Sequence, residues 1–393
     1  ITMADLMRDD DFEVADTGEN TDDLQLDAED FHNIVAAPAD WTIGSLFSQI
    51  GKQIDINPEF QRRGVWSKVA KSSFIESLFL NIPIPQILLA SHPSKRNSLI
   101  VLDGKQRLLS ILEFMNGKHD DGRPFALHSL RILKELEGRT WAEIQEMGDW
   151  GDTLTQHTQR TAVLRGWQKE NTLYEIFHRL NSGSVKLSPM ELRMALHPGP
   201  FLRFAIEKTE TRTALHELLR LREPDRRMGD VELLIRFVAF KDRNITYKGN
   251  LKKFLDDTCK VYNREFDQGD TKQNLNNLYD EFIAGIEAVQ EIFEGNSCRK
   301  YKNGEYESRF NRAVFDIMVG SLSNTEVRRA ARNNPDQFIQ AFEALSANNG
   351  DFVESLETTT KSIGATRQRF KGWYDTVNQT FGTNLDTPDF PNV

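Results

Sequence analysis

Residues 101–110 read VLDGKQRLLS, which places an Asp, a Gly, a Lys, a Gln and an Arg in a row between two apolar runs. Two kinds of chemistry fit this spacing. In the first, Asp103 is the N-cap of a helix and its carboxylate accepts the N–H of Gln106. Gln106, third in the helix, returns the bond as the D-x-x-Q form of a capping box. In the second, the segment is a phosphate cradle. Gly104 lets the backbone approach a ligand closely, the first amides of the helix point outward, and Lys105 and Arg107 bring positive charge. Capping accounts for Asp103 and Gln106. It does not account for Gly104, a poor first helical residue, nor for two cations at the helix end that disfavours them. Both readings stand on the residues alone, since a capped start still presents its remaining amides to an anion.

Two further stretches could contribute. In INPEFQRRGVW, residues 56–66, Gln61, Arg62 and Arg63 lie between Phe60 and Trp66. Adjacent arginines in a loop suit bidentate phosphate contacts, and the aromatics suit anchoring of that loop. In FHRLNSGSVKLSPMELRMAL, residues 177–196, Ser188, Pro189 and Glu191 form a capping box for a following helix. The polar turn before it offers Asn181, Ser182 and the Gly183 amide to a ligand. A basic-aromatic segment, TRQRFKGWY at 366–374, reads as a solvated helix face, with Arg367 and Lys371 able to touch nucleic acid. No GxxxxGK[ST], HExxH or GxSxG motif occurs. No histidine follows His216, which leaves the remainder without a histidine-metal nuclease centre.

The elements that must position these residues follow from hydrophobic periodicity. Ile43, Leu46, Phe47 and Ile50 predict a helix ending at Gly51, followed by an extended piece at Ile54 to Ile56. A second helix runs from Ser67 through Phe79. Pro83 and Pro85 forbid helix in the next segment, so Ile87–Ala90 and Leu99–Leu102 read as strands of a hairpin. Leu108, Leu109, Ile111, Leu112 and Met115 predict the helix after the DGKQR stretch, closing at Asn116-Gly117. Thr161–Leu164 reads as one more strand, and beyond about residue 170 every strong period is helical. The expected fold is α+β, a small mixed N-terminal domain followed by a mostly α-helical C-terminal one.

Composition bounds the rest. The chain has 393 residues, of which 27% are charged and 39% hydrophobic, as in ordinary soluble domains. No apolar run approaches the roughly 18 residues of a membrane span, and no secretory signal is read, so a cytoplasmic location away from membranes is expected. The two cysteines, Cys259 and Cys298, form no metal-binding pattern, and Cys259 falls on an apolar helical face. The net charge of −10 is concentrated in the first 30 residues, which hold twelve acids and one base, so the remaining chain is close to neutral. The expected organisation is an acidic, disordered leader at 1–35, a mixed domain at 36–200 and a helical domain at 201–393.

The stretches FQRRGVW, IPIPQILLA, VLDGKQRLLSILEFMNG and FHRLNSGSVKLSPMELRMAL, in this order, resemble the GmrS-type DGQQR-motif family of bacterial restriction and anti-phage proteins. The resemblance covers about residues 40–200 and implies a ParB/sulfiredoxin-like domain that binds a nucleotide and hydrolyses it in several members. It maps the DGQQR motif onto Asp103, Gly104, Lys105, Gln106 and Arg107, and the FQR signature onto Phe60, Gln61 and Arg62. Lys105 replaces the motif's first Gln, and Gly64 stands where relatives often carry an aromatic. The HNH nuclease domain of many relatives is not expected here. On this reading Asp103, Gln106 and Arg107 are catalytic in an NTPase, with Asp103 on Mg²⁺ or the attacking water. Arg62, Lys105 and Arg107 hold the phosphates beside the Gly104 backbone, and Gln61, Gln106 and Asn181 add neutral hydrogen bonds. Nucleotide state would pass to DNA or to a separate effector protein, in a chain that could act as an oligomer. Two alternatives remain: a metal-dependent DNA nuclease using Asp103 with Glu59 or Glu76, and a non-enzymatic sensor that binds DNA or protein.

Overall fold

The computed structural model describes residues 26–56, 66–92, 95–119, 121–180, 188–242, 245–357 and 362–391. Two compact units divide the chain, residues 24–198 and residues 199–393.

In the first unit the elements run β1 (Val35–Pro38), β2 (Trp41–Thr42), α1 (Ile43–Gln49), β3 (Ile54–Asp55) and α2 (Lys68–Phe79). There follow β4 (Ile87–Ser91), β5 (Leu99–Asp103), α3 (Lys105–Met115), α4 (Trp141–Gln145) and α5 (Trp150–Gln156). The unit closes with β6 (Thr158–Gln159), β7 (Thr161–Arg165), α6 (Glu170–Leu180) and α7 (Pro189–Leu196). Five strands make one mixed sheet in the order β1-β7-β4-β5-β3, and β2 pairs with β6 beside it. β4 and β5 are the expected antiparallel hairpin, and β7 joins β4 in parallel. Because successive side chains of a strand face opposite ways, the central strands feed two cores. Ile87, Leu89, Leu99, Val101 and Val163 pack with residues of α1, α2 and α3. Leu88, Ala90, Ile100, Leu102, Ala162 and Leu164 pack with Leu173 and Tyr174 of α6 and Leu192 and Leu196 of α7. The sheet is therefore covered on both faces, which explains why its strands are nearly continuous apolar runs.

Local signals set most boundaries. Ser67 caps α2 by accepting from the Ala70 N–H, and Ser188 with Glu191 forms the expected capping box on α7. The acidic leader ends earlier than expected. Asp27 caps a short 3₁₀ turn at Ala28–Phe31, Asp30 pairs with Lys169 at 2.7 Å, and β1 pairs with β7.

The second unit is built from α8 (Pro200–Thr209), α9 (Ala214–Leu218), α10 (Gly229–Lys241), α11 (Leu251–Glu265) and α12 (Thr271–Phe293). After a hairpin of β8 (Arg299–Lys302) and β9 (Glu305–Phe310) come α13 (Arg312–Leu322), α14 (Thr325–Asn333), α15 (Pro335–Asn348), α16 (Gly350–Glu357) and α17 (Ile363–Phe381). The unit is mostly helical, as expected, with this one hairpin among its described residues. Its turn, Asn303-Gly304, has both residues at positive φ, the backbone that a tight two-residue hairpin needs. α13 is buried from end to end, and α10 is buried from Asp230 to Phe240. α12 approaches α13 at Gly285, where a Cβ would come within 2.9 Å of the Val319 carbonyl. Cys259 is fully buried, as its helical face implied.

Charge is buried here too. The Asp316 carboxylate on α13 accepts two bonds from Arg236 of α10, at 2.5 and 2.6 Å, and one from Arg369 of α17 at 3.5 Å. Arg369 belongs to the basic-aromatic segment read as a solvated face, yet it and Trp373 are buried, while Arg367 donates to the Pro391 carbonyl. Asp316→Asn would leave two buried guanidiniums short of a counter-charge. A stability loss of about 3–5 kcal/mol is expected in urea denaturation, and a loss below about 1 kcal/mol, the scale of an exposed pair, would contradict this placement.

Candidate functional site

α3 begins without a loop. β5 extends through Asp103, which pairs with Leu88, and α3 starts at Lys105. Gly104 makes the whole turn at φ 94° and ψ 14°, the left-handed region that favours glycine. A Cβ there would lie 2.8 Å from Cγ1 and 3.2 Å from Cγ2 of Ile87, so the position is closed sterically as well. Here the capping-box expectation is corrected. Gly104 itself is the N-cap, and α3 has no side-chain cap. Because Asp103 is still strand, its carboxylate reaches the side of the first helical turn and accepts from Arg107 Nη2 at 2.7 Å. Gln106 turns elsewhere, its Oε1 accepting from the Trp66 N–H at 3.3 Å.

Around this turn the segments read from sequence come together. Arg107 donates through Nη1 to the carbonyls of Pro85 and Gln86, in the IPIPQ stretch ahead of β4. The Gln159 Nε2 donates to the same Pro85 carbonyl at 3.1 Å, so two side chains clamp one turn. Trp66, held edge-on against Phe74 with ring centroids 5.6 Å apart, ties the end of the FQRRGVW stretch to Gln106. Lys105 Nζ lies 3.6 Å from Glu191 Oε1, and Glu191 also receives the Ser188 N–H at 2.7 Å. Glu191 thus joins the start of α7 to the start of α3.

The electrostatics are uneven. Lys105 has an 11% exposed side chain. Burial pushes its ammonium below the ordinary lysine value, with the Glu191 carboxylate opposing the shift. Asp103 is the more open group at 31% side-chain exposure, and its Oδ1 makes no hydrogen bond among the described residues. That oxygen and a helix start with no side-chain cap are what the site offers a ligand. Glu76, the acid considered beside Asp103, is engaged by backbone instead. Its carboxylate accepts the N–H groups of Arg131, Ile132 and Leu133. Burial raises its pKa, but these bonds prevail and hold it below the ordinary value.

Gln61, Arg62, Glu59 and Asn181 lie outside the described residues. Sequence reasoning missed Gln159, whose strand β6 is too short to show a period. It also missed the buried anchor of α3 on α2, where Lys71 Nζ meets both Glu113 oxygens at 2.7 Å and His119 Nδ1 lies 3.3 Å from Glu113. A Glu and a Lys on separate helices give no local signal of pairing.

Residues 43–198 match the family described as the GmrSD restriction endonuclease, N-terminal domain. Neither a curated protein nor a solved structure matches the chain.

Gly104→Ala is expected to lower stability by about 2 kcal/mol or more, from the strained φ and the clash with Ile87. A guanidinium denaturation midpoint equal to that of the parent would contradict the turn. Lys105 gives a pH test. Its pKa is lowered on folding from 10.5, so the unfolded chain binds the extra proton and stability rises with pH towards that value. Compared with Lys105→Met, the parent should gain stability as pH rises towards 10.5, and parallel pH profiles would refute the burial of this charge.

Proposed function

Because residues 43–198 belong to the N-terminal domain family of the GmrSD restriction endonuclease, which makes this a restriction, anti-phage type of chain, we propose that the domain binds and hydrolyses a nucleoside triphosphate at the start of α3. One observation carries the reading. All four stretches that bear the family resemblance meet at residues 103–107, through Arg107 on Pro85 and Gln86, Gln106 on Trp66, and Lys105 on Glu191. The meeting point is a helix start with no side-chain cap.

In this reading the first amides of α3 receive phosphate oxygens, helped by the positive end of the helix dipole. Gly104 keeps the approach clear of a Cβ. The Lys105 ammonium, drawn back by Glu191, adds a cation beside the helix start, and Arg107 fixes both Asp103 and the Pro85–Gln86 turn around it. Arg107 is thus first a positioning residue. Asp103 is the residue that would hold Mg²⁺ or orient the attacking water, through the oxygen that Arg107 leaves open. A single open carboxylate oxygen fits Mg²⁺ arriving with the phosphates, because that ion keeps most of its shell as water and phosphate oxygen. When bound, Mg²⁺ would neutralise charge on the phosphoryl group being transferred. Gln61, Arg62 and Asn181 complete the proposed phosphate and base contacts. A nuclease using Asp103 and Glu76 has less support, since Glu76 holds three backbone amides. The product state would be passed to DNA or to a separate effector.

The test is phosphate release from ATP, GTP, CTP and UTP by the full chain with Mg²⁺. Asp103→Asn keeps an acceptor for Arg107 while removing the charge. It is expected to cut turnover by at least 100-fold, on the order of a lost electrostatic contact to a developing charge, with the fold retained by circular dichroism at the assay temperature although the melting temperature falls, because Arg107 loses its counter-charge. Failure of the parent to turn over any of the four nucleotides would refute the hydrolytic reading.

A further inference from the structure

The second unit carries an arginine-rich loop that none of the foregoing uses. Between α9 and α10 the sequence reads LRLREPDRRMGD, residues 219–230, with Arg220, Arg222, Arg226 and Arg227 all exposed. The loop's acids are turned away from them. Asp225 accepts the N–H groups of Arg227 and Gly229, at 2.9 and 2.8 Å. Asp230 is fully buried, 3.0 Å from His216 Nε2, and accepts the Asp225 N–H. Glu217 pairs with Arg212 at 3.5 Å, and Glu223 reaches only Arg226, at 4.0 Å. Among the described residues no carboxylate lies within ion-pair distance of Arg220, Arg222 or Arg227. Elsewhere in this unit Arg236, Arg264, Arg312, Arg332 and Arg369 each have a carboxylate partner.

Arg220 is also conformationally out of place. It follows the end of α9 with φ 58°, and the Leu221 N–H returns to the His216 carbonyl at 2.8 Å. This is the left-handed helix stop at which glycine is the favoured residue. An arginine there costs stability that glycine would not, and such local strain is characteristic of functional positions.

We propose that Arg220, Arg222 and Arg227 form a surface for the phosphodiester backbone of duplex DNA. Planar guanidiniums fork onto phosphate oxygens, and this cluster contains arginine and no lysine. The binding is sequence-independent, and it is independent of nucleotide at α3.

The test uses the full chain and a fluorescein-labelled 20-base-pair duplex of arbitrary sequence, with anisotropy read from about 50 to 200 mM salt. Arg220→Gly relieves the left-handed position, so its denaturation midpoint should rise while its DNA affinity falls about threefold or more. Arg222→Ser with Arg227→Ser should lower the slope of log affinity against log salt by roughly 2, about 0.9 for each lost phosphate contact. Arg329→Ser, which loses one charge as Arg220→Gly does but from an exposed position on α14, should change neither affinity nor slope. The proposal fails if the parent does not bind the duplex, if the loop variants bind like the parent, or if Arg329→Ser weakens binding as much as they do. It also fails if the loop variants lose affinity only for poly-glutamate, which would make the partner an acidic protein.

Discussion

One guanidinium holds the N-terminal unit's central turn. Arg107 takes the Asp103 carboxylate with one nitrogen and the carbonyls of Pro85 and Gln86 with another. The first contact fixes how β5 enters α3, and the second fixes how the proline-rich segment enters β4. Both strands are central in the sheet, so the two cores on its faces inherit their register from this tie. The tie is possible because Gly104 turns in a single residue. A longer connection would move Arg107 away from the end of β5.

The same constraint leaves the helix start free of a side-chain cap. With Asp103 bound to Arg107, no side chain caps α3. Lys105 and Gln106, which follow on the helix, are each fixed by a contact from a distant segment, Glu191 and Trp66 respectively. The motif therefore acts as the junction at which four stretches are held, and binding at the junction would be felt by all of them.

Much of the fold was legible in the residues because its signals are local. Ser67 and the Ser188–Glu191 box fixed two helix starts, and Pro83 and Pro85 excluded helix before β4. The apolar runs at Ile87 and Leu99 marked a hairpin buried on both faces. Where local signals conflicted with longer-range partners, the reading failed. Asp103 satisfies the pattern of a cap, but a strand running through it and an arginine one turn on took its carboxylate. Arg369 looked like part of a solvated helix face, but Asp316, 53 positions earlier in the chain, draws it inside. The β8–β9 hairpin was too short to stand out among helices.

By itself, the sequence determined the α+β character of the first unit, the mostly helical character of the second, and residues 103–107 as the candidate site. These follow from periodicity, turn residues and charge type, each of which acts over a few neighbouring positions. Only the tertiary structure decided which atoms of that motif face outward. Asp103 Oδ1 remains open because Arg107 occupies Oδ2, and Lys105 is drawn back because Glu191 lies on a helix more than 80 residues away. Partner choice among charged groups depends on distances between segments that no local pattern encodes, and on burial, which decides how strongly each pair interacts.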